Sequence, residues 1–151
     1  MRVLLLTGAE PRHHRFAQII GGSRLIDIGD INRRSQQIQD FHPDVIFVYG
    51  TGKLGPEIVS ACPYVLNFHG GDPENYRGLD SHLWALHYND PLGLQVTLHH
   101  VDDGLDTGDI VFQTQIDLAG VRSLAGLQTR TMEACVQLAK LALRGLETGF
   151  L

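Results

Sequence analysis

The chain has 151 residues, 43% of them hydrophobic, which suits the core of one domain spanning residues 1–151 and leaves no second domain to expect. Its 17 acidic residues outnumber its 12 basic ones, for a formal net charge of −5. That balance supplies no basic stripe of the kind a nucleic-acid surface uses to displace counterions, so a nucleic-acid partner is not expected. The apolar run at Val3–Leu6 is about four residues, against seven or more in a signal segment, and no run nears the roughly 18 of a membrane span. A cytoplasmic protein without a membrane partner is expected. Cys62 and Cys135 match no metal or redox spacing and read as reduced, structural thiols.

Val3–Leu6 reads as a first core strand that ends at Thr7-Gly8. Phe16, Ile19 and Ile20 then recur at helical spacing until Gly21-Gly22 breaks the pattern. Leu25–Ile28 is a second short strand, and Asp30 is placed to cap a helix through Phe41 that Pro43 closes. Asp44–Tyr49 is apolar and β-branched on both faces, as a central parallel strand is, and it runs into Gly50-Thr51-Gly52. Pro56–Ala61 predicts a short helix, Tyr64–Asn67 a fourth strand, and Ser81–Tyr88 a helix whose Leu83, Trp84 and Leu86 read as core packing. Gln95–Val101 and Ile110–Ile116 predict two further strands, and Ser123–Leu146 a long amphipathic helix ending near Gly149. This order predicts an α/β fold, a Rossmann-like and mostly parallel sheet with helices on both faces. An excess apolar face on the long last helix would favour a homodimer.

Chemistry concentrates in two loops that follow apolar strands, where an α/β fold builds its site. Asn67 and His69 lie two residues apart and project from one side of an extended segment. An amide can donate to a developing oxyanion, and an imidazole can exchange a proton near neutral pH. Gly70-Gly71 lets backbone or ligand come close to them. Asp102, Asp103, Asp106 and Asp109 crowd the second loop, where mutual repulsion would raise the pKa of one of them or recruit a cation unless all are solvated. A solvated turn with capping carboxylates is the plain alternative. His13 and Arg15 stand where a helix follows the first strand, a position suited to an anion. His99 and His100 face opposite ways on a strand and cannot chelate together, and no metal-binding pattern occurs, so no metal is expected. The phosphate-loop spacing is not met at Gly50-Thr51-Gly52-Lys53.

Asn67-Phe68-His69 and Val101-Asp102-Asp103-Gly104-Leu105-Asp106-Thr107-Gly108-Asp109-Ile110 together resemble the folate-dependent formyltransferase family, over roughly Pro43 to Gln113. The resemblance implies a compact single-domain formyltransferase fold with 10-formyltetrahydrofolate as co-substrate and no metal. It implies a catalytic set of Asn67, His69 and Asp106, which move a formyl group to a primary amine through a tetrahedral intermediate. It places the folate against Tyr49, Gly50, Thr51, Lys53, Leu54, Asp102 and Asp103. It places the acceptor against His13, Arg15, Gly70, Tyr76 and Arg77.

Within the family, Asn-x-His-Gly-Gly and Tyr-Gly-Thr-Gly are closest in motif to amino-sugar N-formyltransferases, which implies an amino-sugar nucleotide as the small-molecule acceptor. The glycine-rich phosphate loop of the glycinamide ribonucleotide enzymes has no counterpart in Ala9–Arg15, and the C-terminal barrel of methionyl-tRNA formyltransferases has none in this sequence. The chain reads as a compact core without the wall that holds an acceptor in longer relatives. A formyltetrahydrofolate hydrolase using the same triad, and a folate-binding module without turnover, are the alternatives.

Overall fold

Apolar β-branched runs alternating with helical spacing fold into a six-stranded sheet flanked by helices, described for residues 1–151 by a computed structural model. The elements are β1 (Val3–Thr7), α1 (Pro11–Ile20), β2 (Ser23–Ile26), α2 (Ser35–Phe41), β3 (Val45–Tyr49), α3 (Pro56–Val59), β4 (Tyr64–His69), α4 (Ser81–His87), β5 (Gln95–His100), β6 (Ile110–Gln115) and α5 (Leu124–Thr148). The strand order is β2-β1-β3-β4-β5-β6, parallel from β2 to β4 and antiparallel for the β4–β5 and β5–β6 pairs.

Strand periodicity sorts the core into two layers. Leu5, Phe47 and Leu66 face α1 and α5 through Phe16, Met132 and Leu138. Leu4, Leu6, Ile46 and Val48 face the other way, onto Ile38 of α2 and Ile58 of α3. Helices therefore cover both faces, as all-parallel central strands require. α5 starts where the Ser123 side chain accepts from the Gly126 N–H, and ends at Gly149, whose φ of 71° suits glycine. No helix is long and apolar enough to cross a membrane.

The strand order reverses between β1 and β3, so their carboxyl ends open a crevice of the kind where α/β folds bind ligands. Gly8 and Gly50 line it and admit the His13 ring between them. A Cβ on Gly8 would meet the Gly50 carbonyl at 2.6 Å, and one on Gly50, at φ 73°, would collide with the ring itself.

Three expectations change. Asp30 caps a 3-10 turn at Ile31–Arg34, and α2 begins only at Ser35. The Asn32 side chain bonds the Lys53 carbonyl and the Gly55 N–H, which pins the turn and interrupts the helix. β4 runs two residues beyond Asn67 and carries both Asn67 and His69 within the ladder. Trp84 is not core: it is 52% exposed, stacked against Tyr88 at 6.3 Å. α4 buries Ser81 and Ala85, an i, i+4 pair, and Trp84 lies one residue, about 100°, off that stripe.

Candidate active site

β4 presents Asn67 and His69 from one side, and its antiparallel partner β5 sets His99 directly opposite Asn67. A register shift falls between Leu98 and His99 on the β6 side of β5. Such irregularities re-aim side chains beside functional sites. Asp106 arrives from the turn after β5. Its φ of 52° is in the left-handed region, which costs a non-glycine residue about 1–2 kcal/mol.

The surrounding turn imposes that conformation. The Asp102 carboxylate accepts from the Gly104 N–H at 3.0 Å and the Thr107 hydroxyl at 2.7 Å, and Gly108 packs against the His100 carbonyl with no room for a Cβ. Asp106 Oδ2 accepts from the Gly78 N–H at 2.8 Å and lies 3.4 Å from His69 Nδ1. Asp106 Oδ1 accepts from the Asn67 amide at 3.3 Å and lies 3.4 Å from His99 Nε2. The same Asn67 Nδ2 is 3.1 Å from His99 Nε2. The side chains of His69, His99 and Asp106 are 5%, 2% and 10% exposed, so these groups interact with little screening.

Burial pushes His69 below its ordinary 6.5, against the opposing pull of Asp106 and the Tyr76 carbonyl. Burial also acts to raise the Asp106 carboxyl. His99, the Gly78 N–H and His69 outweigh it, and the net direction is downward. At neutral pH the pair is therefore a carboxylate beside an imidazole that burial keeps neutral. His13, squeezed between two glycines beside Arg12, is lowered to about 4 by burial first and by the guanidinium second.

A cavity of about 430 Å³ opens over these residues, bounded by Arg12, His13, the Tyr49–Lys53 loop, the Gly78–His82 segment and Gln128. A narrower slot of about 90 Å³ joins it at Lys53, Asn67 and Asp106, with Val48, Leu54, Val101 and Leu105 as apolar walls. Lys53 Nζ donates to the Asp103 carbonyl at 2.6 Å across the two loops that frame the slot. No group of three or more His, Cys, Asp or Glu side chains is arranged to hold a metal ion.

The structure brings Asn67, His69 and Asp106 together on one wall. Tyr49, Gly50, Thr51, Lys53, His13 and Gly70 line the larger cavity, and Leu54 and Asp102 the slot. Asp103 gives only its backbone carbonyl, and its side chain is exposed. Arg15 is exposed on the outer side of α1, and Arg12 enters the cavity in its place. Helix geometry explains the exchange: Arg12 is four residues before buried Phe16, while Arg15 is two after buried His13, about 200° round. Tyr76 and Arg77 do not line the cavity. The Tyr76 hydroxyl donates to Asp90 at 2.9 Å and Arg77 Nε to the Pro73 carbonyl at 2.8 Å, so both brace the loop instead. His99, Arg12, Ser81 and His82 were not singled out as site residues from sequence. Only the Phe16 stripe could have flagged Arg12, and only the cross-strand register His99.

A family model described as formyl transferase matches residues 31–143. The methionyl-tRNA formyltransferase of Clostridioides difficile (strain 630) is 30% identical over 115 residues, covering 75% of this chain and 37% of that protein. The chain thus spans little more than a third of that relative's length. Among solved structures, the formyltransferase PseJ from Anoxybacillus kamchatkensis, in complex with UDP-4,6-dideoxy-4-formamido-L-AltNAc and tetrahydrofolate, superposes with a TM-score of 0.72 at 24% identity. That match covers 97% of this chain and 77% of PseJ. Glycinamide ribonucleotide transformylase 1 from Symbiobacterium toebii superposes with a TM-score of 0.78 at 16% identity, over 99% of this chain and 88% of that one. These two share the fold. Extending over most of the elements that build the site, the family match shows that the chain belongs to the formyl transferase family.

Proposed function

We propose that the chain transfers a formyl group from 10-formyltetrahydrofolate to a primary amine, with Asn67, His69 and Asp106 as the reacting side chains. The observation that carries this reading is their convergence at the point where the narrow slot meets the larger cavity. The slot has apolar walls suited to a flat ring and polar lining residues, Thr51, Lys53, Asn67 and Asp102, suited to its edge, which supports a pteridine as its occupant. When bound, 10-formyltetrahydrofolate supplies an activated formyl carbon at that junction.

Asn67 would then turn its amide from the 3.3 Å contact with Asp106 toward the formyl oxygen as negative charge builds there. One such donor is worth about 3–4 kcal/mol of barrier. His69 and Asp106 take and return the amine's proton, as a neutral imidazole backed by a carboxylate is suited to do. The shared wall also orients two bound substrates, an effect that can supply about 7–11 kcal/mol.

The acceptor we favour is an amino-sugar nucleotide. Two things support it: the Gly70-Gly71 sequence after His69, and the cavity flanked by Arg12 and His13, where an anionic group would meet a guanidinium at the start of a helix. PseJ, a relative in fold, was solved with a formamido sugar linked to UDP. A second reading is an amine carried on tRNA, favoured by the 30% identity to methionyl-tRNA formyltransferase and opposed by the net charge of −5.

The deciding experiment incubates the protein with 10-formyltetrahydrofolate and a panel of amino-sugar nucleotides, glycinamide ribonucleotide and methionyl-tRNA. It records tetrahydrofolate release and the formyl mass gain on each acceptor. A gain on an amino sugar supports the proposal, and a gain on tRNA alone replaces its acceptor. Formate release without any amine would identify a hydrolase.

A further inference from the structure

Ser81 opens α4 and is only 2% exposed although it carries a hydroxyl. Its Oγ lies 3.1 Å from each of three groups: His69 Nε2, the Tyr76 carbonyl and the Gly78 carbonyl. A serine hydroxyl has one hydrogen to give and two lone pairs. Both carbonyls can only accept, and the Tyr76 carbonyl does so toward Nε2 as well; with hydrogen on Nε2, the hydroxyl gives its own to a carbonyl and its oxygen accepts from the ring. The Tyr76 carbonyl also lies 2.5 Å from His69 Nε2. Both partners of Nε2 are thus acceptors, and that nitrogen must carry hydrogen. In the neutral ring the lone pair then sits on Nδ1, which faces Asp106 Oδ2 at 3.4 Å.

The facing histidine is arranged the same way. His99 Nδ1 is 2.8 Å from the His100 carbonyl, and its Nε2 lies 3.1 Å from the Asn67 amide and 3.4 Å from Asp106 Oδ1.

We propose that Ser81 is a positioning residue: together with the Tyr76 carbonyl it holds neutral His69 as the Nε2–H tautomer, which makes Nδ1 the atom that accepts the amine's proton. The functional half of this inference rests on the formyl-transfer reading. As the amine nitrogen bonds the formyl carbon, its proton passes to Nδ1 and Asp106 balances the imidazolium charge. The same proton goes to the departing nitrogen when the bond between formyl carbon and tetrahydrofolate breaks, and the ring returns to neutral. Ser81 also joins the two halves of the pair, since the Gly78 carbonyl it touches belongs to the residue whose N–H holds Asp106. Gly71 permits the approach: a Cβ there would lie 2.7 Å from Ser81 Cβ and 3.3 Å from His69 Nε2.

The test reads histidine ring ¹⁵N shifts, without substrates, in wild type, Ser81→Ala and Ser81→Thr, with His69→Gln to assign the signals. At about pH 7.5 wild-type His69 is expected in the Nε2–H form. In Ser81→Ala the Tyr76 carbonyl remains the one acceptor on Nε2, so the Nε2–H share should fall measurably while kcat falls about tenfold and both KM values stay within about twofold, with Ser81→Thr recovering both readouts. An Nδ1–H form in wild type, or an unchanged ring pattern with unchanged kcat in Ser81→Ala, would overturn the proposal. If wild type makes no formylated product while the Ser81→Ala ring pattern shifts, the transfer reading fails and the tautomer assignment stands.

Discussion

Asp106 is held by four neighbours in a backbone conformation that opposes it. Its carboxylate meets the Gly78 N–H, the Asn67 amide and two imidazoles, all within 3.4 Å, at a φ of 52°. Asp106→Asn keeps the shape and removes the charge, so kcat should fall by about 10³-fold or more while folate affinity, measured by fluorescence titration, stays within about threefold. Asn67→Ala should lower kcat by about 10²–10³-fold through the lost donor. Near-wild-type turnover in either variant would remove that residue from the mechanism. The convergence of these three side chains was legible from sequence because Asn67 and His69 share one face of a strand and Asp106 follows its antiparallel partner. His99 stayed hidden because its role comes from standing opposite Asn67 across two antiparallel strands, which no local spacing encodes. Ser81 stayed hidden for a related reason: its contacts reach twelve residues back to His69 and depend on how the loop folds.

At the scale of elements, the crevice depends on two strand ends closing over one ring. Gly50 follows β3 at φ 73°, with the His13 imidazole where a side chain would go. Gly50→Ala should destabilise the fold by about 2 kcal/mol or more and lower Tm by about 4–8 °C in a thermal melt. An unchanged melt would show that His13 swings clear. Strands such as β3, whose five residues are all buried, were legible because burial on both faces leaves a continuous apolar run. α4 was misjudged because Leu83, Trp84 and Leu86 read as a core stripe, whereas helix geometry puts the small residues Ser81 and Ala85 inward. The break before α2 escaped because it is imposed by the Asn32 side chain reaching residues more than twenty positions away. Site residues on the face of a helix were the least legible: the basic cluster at α1 named Arg15, and the phase of the helix selects Arg12.

Across the whole molecule, pH acts through two buried histidines with different consequences. His69 lies below its ordinary 6.5 because burial outweighs Asp106, so its ring is neutral at neutral pH, as the proposed proton transfer requires. The acid limb of the kcat/KM profile should therefore fall below pH 6.5 and vanish in His69→Ala along with the activity. An acid limb above that value would show that Asp106 dominates the pair. His13 is lowered to about 4, so between its unfolded value and that point the unfolded chain binds the extra proton. Stability is then lost as pH falls through this window, by up to about 3 kcal/mol from this group. In His13→Leu this loss is removed, so urea unfolding should show the variant gaining on wild type as pH drops from about 6.5 to about 4. A constant difference would mean that His13 is not held neutral.

The most direct measurement of formyl transfer follows a ¹³C-formyl label from 10-formyltetrahydrofolate into the amide of the acceptor, in wild type, His69→Ala and Asp106→Asn at matched folate occupancy. The site described here predicts that the label reaches the amide in wild type and stays on the folate in both variants. Label transfer at wild-type rate in either variant would contradict the Asn67, His69 and Asp106 assignment, and no transfer to any amine by wild type would contradict the transferase itself.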